Sequence, residues 1–131
     1  MNKIVIACDS YKESLSAYEV GANIGLGVSK VFPNSEIINF PLADGGEGTV
    51  DNLIEATSGF KRYVQVLDPL FREITAYYGI SKDQNTAFIE LAQASGIELL
   101  TDEEKNCLIT TTYGTGQLIA DSIDSGITNI I

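Results

Sequence analysis

Glu36-Ile37-Ile38-Asn39-Phe40-Pro41-Leu42-Ala43-Asp44-Gly45-Gly46-Glu47-Gly48-Thr49 is the stretch that decides the fold. Its first five residues read as a strand, and the residues after Thr49 follow a helical pattern. A strand therefore hands over to a helix through a loop of three glycines and two carboxylates. Glycine frees the backbone for positive φ and lets a ligand approach closely. Acids between glycines point to a metal ion or a substrate hydroxyl rather than to a bare phosphate.

A second segment has the same form. Ile4-Val5-Ile6-Ala7-Cys8 is a short continuous apolar run of the kind expected in a buried parallel strand. It ends in Asp9-Ser10-Tyr11-Lys12-Glu13-Ser14. Open α/β sheets bind ligands at the carboxyl ends of their strands. Two polar loops at two such ends place Asp9, Lys12, Asp44 and Glu47 in one candidate region.

Between these loops, Ser16-Ala17-Tyr18-Glu19 is a capping box with Leu15 and Val20 at the staple positions. Ala17, Val20, Ile24, Val28 and Val31 make one apolar stripe at helical spacing, interrupted by Gly21, Gly25 and Gly27, and Pro33-Asn34 ends the helix. The glycines weaken the helix and permit close packing on a sheet. Val50, Leu53, Ile54 and Thr57 give a second helix, with Gly59 as its C-cap residue.

The period then changes. Residues 63–67, 73–81 and 86–91 read as strands, and the joints Asp68–Arg72 and Lys82–Asn85 are short enough to imply antiparallel hairpins. Residues 98–105 form an acidic surface stretch. Leu118, Ile119 and Ile123 mark a third helix from about Thr115 to Gly126, and a further strand begins at Ile127. The expected architecture is α/β: a mostly parallel sheet with flanking helices, flavodoxin- or Rossmann-like, plus an antiparallel meander. Its parts are a substrate-site portion at 1–61, a meander at 62–96 that can belong to a second domain, and a helix with the start of a strand at 97–131.

Composition limits the function. The net charge of −10 argues against nucleic acid and against an anionic membrane as partners. An anionic substrate would need local cations or a metal. The absence of histidine removes the commonest general base and most zinc sites, leaving carboxylates and lysine for acid–base work. Cys8 and Cys107 do not make a disulfide framework, which suits a reducing compartment. With no signal peptide and no apolar run of spanning length, the expected location is the cytoplasm.

Each candidate has a plainer alternative. Lys12 can neutralise a phosphate or carboxylate, or be a solvated lysine. Asp9 can bind magnesium or orient Lys12, or be a turn acid. Asp44 can reach a metal or accept a hydroxyl proton, or serve as a helix-entry acid. Glu47 can instead sit in a first helical turn. Ser10 and Ser14 can donate to phosphate oxygens or act as turn and cap residues. Glu90, in an apolar strand near Gln93 and Ser95, is either functional or ion-paired. Thr110, Thr111, Thr112 and Thr115 precede and open a helix whose amides suit an anion, and capping explains them equally. Neither G-x-x-x-x-G-K-[ST] nor G-x-G-x-x-G is present, so the residues alone do not name ATP.

The two acidic loops, Ile89-Glu90-Leu91-Ala92-Gln93-Ala94-Ser95-Gly96-Ile97 and Asn106-Cys107-Leu108-Ile109-Thr110-Thr111-Thr112-Tyr113-Gly114-Thr115-Gly116 together resemble the glycerate kinase family, with four motifs in the family's order. Cys8 stands where the family often has proline, and Tyr11 where phenylalanine is usual. The resemblance implies ATP- and Mg2+-dependent phosphorylation of D-glycerate on O2 or O3. It implies Asp44, Lys12 and Asp9 as catalytic residues, with Asp44 and Asp9 also on the metal. Ser10, Ser14, Gly45, Gly46, Glu47, Ser95, Thr111, Thr112 and Gly114 would bind substrate. Family members are much longer, so the chain is expected to be an amino-terminal fragment that is inactive alone and prone to self-association. The alternative is a non-enzymatic flavodoxin-like or receiver-like phosphate-binding module. The receiver pattern wants a paired acid after the first strand and a lysine after a late strand, and neither is evident.

Overall fold

The structure, a computed structural model, describes residues 2–11 and 14–131. The chain divides into two compact units, Met1–Asn52 and Leu53–Ile131.

In the first unit β1 (Lys3–Ile6) and β2 (Glu36–Asn39) pair in parallel, from Lys3 opposite Glu36 to Ile6 opposite Asn39. The connection is α1 (Ala17–Val31), which starts where the capping box places it. The Ser16 amide donates to Glu19 Oε2 at 2.9 Å and the Glu19 amide to Ser16 Oγ at 3.3 Å. The helix meets the sheet through Gly21 and Gly25, whereas Gly27, expected to do the same, is exposed on the side away from the strands. A Cβ at Gly21 would lie 1.8 Å from Asn39 Oδ1, and one at Gly25 would touch Ile37 and Ile6 at 3.5 and 3.6 Å. Val20 of the expected stripe is buried, but Ile24 and Val31 are exposed, because the side of the helix bearing Gly21 and Gly25 faces the strands.

Helix α2 (Thr49–Thr57) ends in a Schellman turn: the Gly59 amide donates to the Ile54 carbonyl and the Ser58 amide to Glu55. The left-handed residue is Ser58, at φ 51°, not the expected Gly59. Gly59 is required for another reason, since a Cβ there would lie 2.2 Å from the Ile80 carbonyl oxygen.

The second unit is built on a four-stranded sheet in the order β3 (Phe60–Leu67), β4 (Glu73–Ile80), β5 (Thr86–Phe88), β6 (Asn129–Ile130). The first two ladders are antiparallel, as the short joints require, and β5 pairs with β6 in parallel. The α/β class stands. The sheet of this unit is mixed, so parallel pairing among the described residues is confined to β1–β2 and β5–β6. Strand β5 stops at Phe88, short of the expected Leu91, because Glu90 and Leu91 already turn into the short α3 (Ala92–Ser95). Helix α4 (Tyr113–Asp124) starts earlier than Thr115, because Gly114 lets its first turn rest on β3.

Val66, Ala76, Tyr78, Ile80, Ala87, Ala94, Leu118 and Ile127 form the core of this unit. Beside it, Arg62 makes a two-point contact with Asp121, at 2.7 and 3.2 Å, and the buried Tyr78 hydroxyl donates to the same carboxylate at 2.8 Å. The Arg62 hydrogen bond is the main reason the Asp121 carboxyl lies below its ordinary pKa. Among the described residues no helix is long and apolar enough to cross a membrane.

Candidate functional site

In the first unit the parallel ladder continues past its named strands. The Phe40 amide donates to Ile6 at 2.8 Å and the Leu42 amide to Cys8 at 2.9 Å. These bonds bring the two acidic loops out side by side at the carboxyl ends of β1 and β2, as the sequence led us to expect.

Asp9 and Asp44 are both exposed. The Ser10 amide donates to Asp9 Oδ1 at 2.7 Å, and the Gly46 amide donates to Asp44 Oδ1 at 3.0 Å. The second contact is an Asx turn, which fixes the direction of the Asp44 carboxylate while using one of its oxygens. Gly45 and Gly48 have φ of 98° and 85°, conformations that residues with a Cβ rarely adopt. A Cβ at Gly46 would lie 3.1 Å from Asp44 Oδ1 and crowd the turn. Glu47 and Ser14 are exposed and Ser10 is half-buried. The Ser14 amide donates to the Tyr11 carbonyl at 3.0 Å, just ahead of the α1 cap. Lys12 lies outside the described residues.

In the second unit Ser95, Thr111 and Thr112 line one cavity of about 580 Å³. Pro69, Ile97 and Leu100 give it apolar walls, and Thr110, Lys105 and Asn106 add polar groups. No carboxylate is among its described lining residues. At the start of α4, the Tyr113 amide donates to Thr111 Oγ1 at 3.2 Å, and the Thr112 side chain makes no capping bond. Ser95 Oγ and Thr115 Oγ1 lie 2.7 Å apart and tie α3 to α4. The arrangement offers hydroxyls and helix-start amides, chemistry that suits an anion.

Gly114 does not line this cavity. Its role here is packing, since a Cβ would fall 1.9 Å from the Leu67 carbonyl oxygen. Glu90 is only 3% exposed. Lys105, Asn106 and Cys107 were not anticipated as lining residues, because the acidic run from Glu98 reads as a solvated face. The threonine run that follows was the available signal.

Among the described residues no group of three or more His, Cys, Asp or Glu side chains is gathered to hold a metal ion. Magnesium bound with a nucleotide needs only one or two carboxylates, because phosphate and water oxygens complete its shell. Asp9 and Asp44, both exposed on the loops after β1 and β2, are two carboxylates open to solvent there.

Comparison with known proteins gives a consistent result. The model of the glycerate kinase family matches residues 4–131. The chain is 53% identical over 129 residues to glycerate 2-kinase of Escherichia coli K12, covering 98% of this chain and 34% of that protein. It is 51% identical over 129 residues to a glycerate kinase of Bacillus cereus, again covering 98% of this chain and 34% of the relative. A crystal structure provisionally assigned as glycerate kinase 2 of Salmonella typhimurium LT2 superposes with a TM-score of 0.76 at 48% identity, covering 99% of this chain and 35% of that one. The chain thus spans about a third of the length of the relatives it matches.

Proposed function

We propose, from the premise that this chain belongs to the glycerate kinase family, that its protein transfers the γ-phosphoryl group of ATP to a hydroxyl of D-glycerate. The observation that carries this reading is the pair of acidic loops held side by side by the Leu42–Cys8 hydrogen bond. Phosphoryl transfer needs positioning and charge neutralisation more than covalent help from the protein.

In this reading Asp44, oriented by its Asx turn, accepts the proton of the attacking hydroxyl. Gly45, Gly46 and Glu47 shape the approach, Ser10 and Ser14 donate to anionic oxygens, and Lys12 supplies positive charge. Asp9, with Asp44, would hold magnesium, and that ion would supply charge neutralisation on the phosphates. Ser95, Thr111 and Thr112 bind an anionic group in their own cavity. The β1–α1–β2 arrangement supports a flavodoxin- or Rossmann-like reading of the portion up to residue 61. The name of the Escherichia coli relative favours O2 as the acceptor, giving 2-phosphoglycerate. The family match leaves the receiver-like alternative without support.

The test is the intact enzyme assayed with ATP, magnesium and D-glycerate, with the product identified by phosphorus NMR. Asp44→Asn should lower kcat/KM by about 100-fold or more, the usual scale for a lost acid–base group. A folded variant with near-normal turnover would remove Asp44 from the chemistry, and turnover giving 3-phosphoglycerate would overturn the assignment to O2.

A further inference from the structure

We propose that Arg72 is a positioning residue for the 580 Å³ cavity, setting the distance between its walls so that an anionic substrate fits. The inference rests on reading that cavity as a substrate-binding part of the enzyme.

One turn, residues 68–72 between β3 and β4, is tied to two separate segments that line the cavity. To the threonine segment, Pro69 lines the cavity and its carbonyl accepts from the Thr111 amide at 3.1 Å. To the segment 99–105, Arg72 makes the link. Its Nη1 donates to Glu104 Oε1 at 2.8 Å and its Nη2 to the Leu99 carbonyl at 3.0 Å. Leu100 and Lys105, the residues that follow those two contacts, line the cavity. Glu104 is itself held, because its Oε2 accepts from the Thr101 amide at 3.0 Å.

The guanidinium is fixed from behind. Its Nε donates to Asp68 Oδ2, and Asp68 Oδ1 also accepts from the amides of Leu70 and Arg72 at 2.8 and 2.9 Å. Asp68 is 2% exposed, so the anchor cannot swing into solvent. The plainer reading is a half-exposed ion pair that contributes little. Against it stands the fork: one planar group joins a buried carboxylate, a second carboxylate and a backbone carbonyl. Lysine, a single point of charge on a flexible stem, cannot reproduce that geometry.

The experiment uses the intact enzyme with Arg72→Ala, Arg72→Lys and, as a report on the cavity itself, Thr111→Val. Steady-state kinetics are measured for ATP and for D-glycerate, and amide hydrogen exchange is followed over residues 97–105. In Arg72→Ala we expect exchange in that segment to rise roughly tenfold, and KM for one of the two anionic substrates to rise roughly tenfold, with kcat within about threefold of wild type. Arg72→Lys should fall between the two, and it carries the same comparison if the alanine variant does not fold. Thr111→Val should raise the same KM. Unchanged exchange at 97–105 would overturn the positioning role. So would a raised KM in Thr111→Val beside an unchanged one in Arg72→Ala, which leaves the cavity reading intact. Unchanged KM in both variants overturns the cavity reading and the proposal with it. A fall in kcat with KM constant assigns Arg72 to fold stability alone and equally overturns it.

Discussion

Asp68 shows how much can depend on one side chain that reads as ordinary. Its burial would raise the carboxyl pKa, but hydrogen bonds from the Arg72 amide and guanidinium and the Leu70 amide outweigh it and hold the group below its ordinary value. A carboxyl whose folded pKa is depressed stabilises the fold above its unfolded pKa and loses that contribution as pH falls through the folded one. Asp68→Asn keeps the shape and removes the charge. It should cost about 1–3 kcal/mol at pH 7 in urea unfolding, with the cost shrinking below about pH 4, where the unfolded wild-type chain protonates this carboxyl before the folded one does. An equal cost at pH 3 and pH 7 would show that charge has no part in it. The sequence marks Asp68-Pro69 only as a joint, because a turn acid becomes an anchor only when burial and a cation arrive from elsewhere in the fold. Glycine is ambiguous in the same way. Gly45 and Gly48 were legible as positive-φ residues, whereas Gly59 and Gly114 are needed for the space a Cβ would take. The letter alone does not distinguish the two demands.

Elements were legible where their signals are local. The capping box of α1 and the switch from helical to alternating period need only neighbours in sequence, and both held. The end of β5 and the start of α4 depend on what lies across the fold, and there the boundaries shifted. The end of α2 gives a direct test. Ser58 sits at φ 51°, in the region that carries a penalty for any residue with a Cβ, while its side chain faces no requirement for left-handed backbone. Ser58→Gly should therefore stabilise the chain by roughly 0.5–1 kcal/mol, read from the urea midpoint at unchanged slope. A destabilisation would mean that the Ser58 side chain contributes more than its backbone strain costs. The segment 98–105 is exposed as its acidic composition suggests, with Glu98, Asp102 and Glu103 open to solvent, and two 3-10 turns, Ile97–Leu99 and Asp102–Glu104, also bring Leu100 and Lys105 to the cavity. What the composition hides is the Glu104–Arg72 contact, which joins residues 32 positions apart.

At the scale of the molecule, a net charge of −10 stands beside a cavity with no carboxylate among its described lining residues. A strongly acidic chain can accept an anion only where carboxylates are kept away. The topology of the second unit has a further consequence, for the order in which its parts assemble. The β3–β4 hairpin pairs residues close in sequence, from Leu67 opposite Glu73 to Phe60 opposite Ile80. The β5–β6 ladder joins Thr86 to Asn129 and Ala87 to Ile130, so closing it fixes a far longer loop for two paired positions. Loop-closure entropy comes before the reward of non-local contacts, which makes the hairpin the early event and the parallel ladder the late one. Ala76→Gly, in the hairpin, should then slow refolding, while Ile127→Ala, beside β6, should speed unfolding and leave the refolding rate nearly unchanged. The opposite pattern in stopped-flow traces would place nucleation at the ladder. With the hairpin first, the nascent sheet spends its early life with the inner edge of β4 open, waiting for β5 and for a partner strand some forty residues downstream of it.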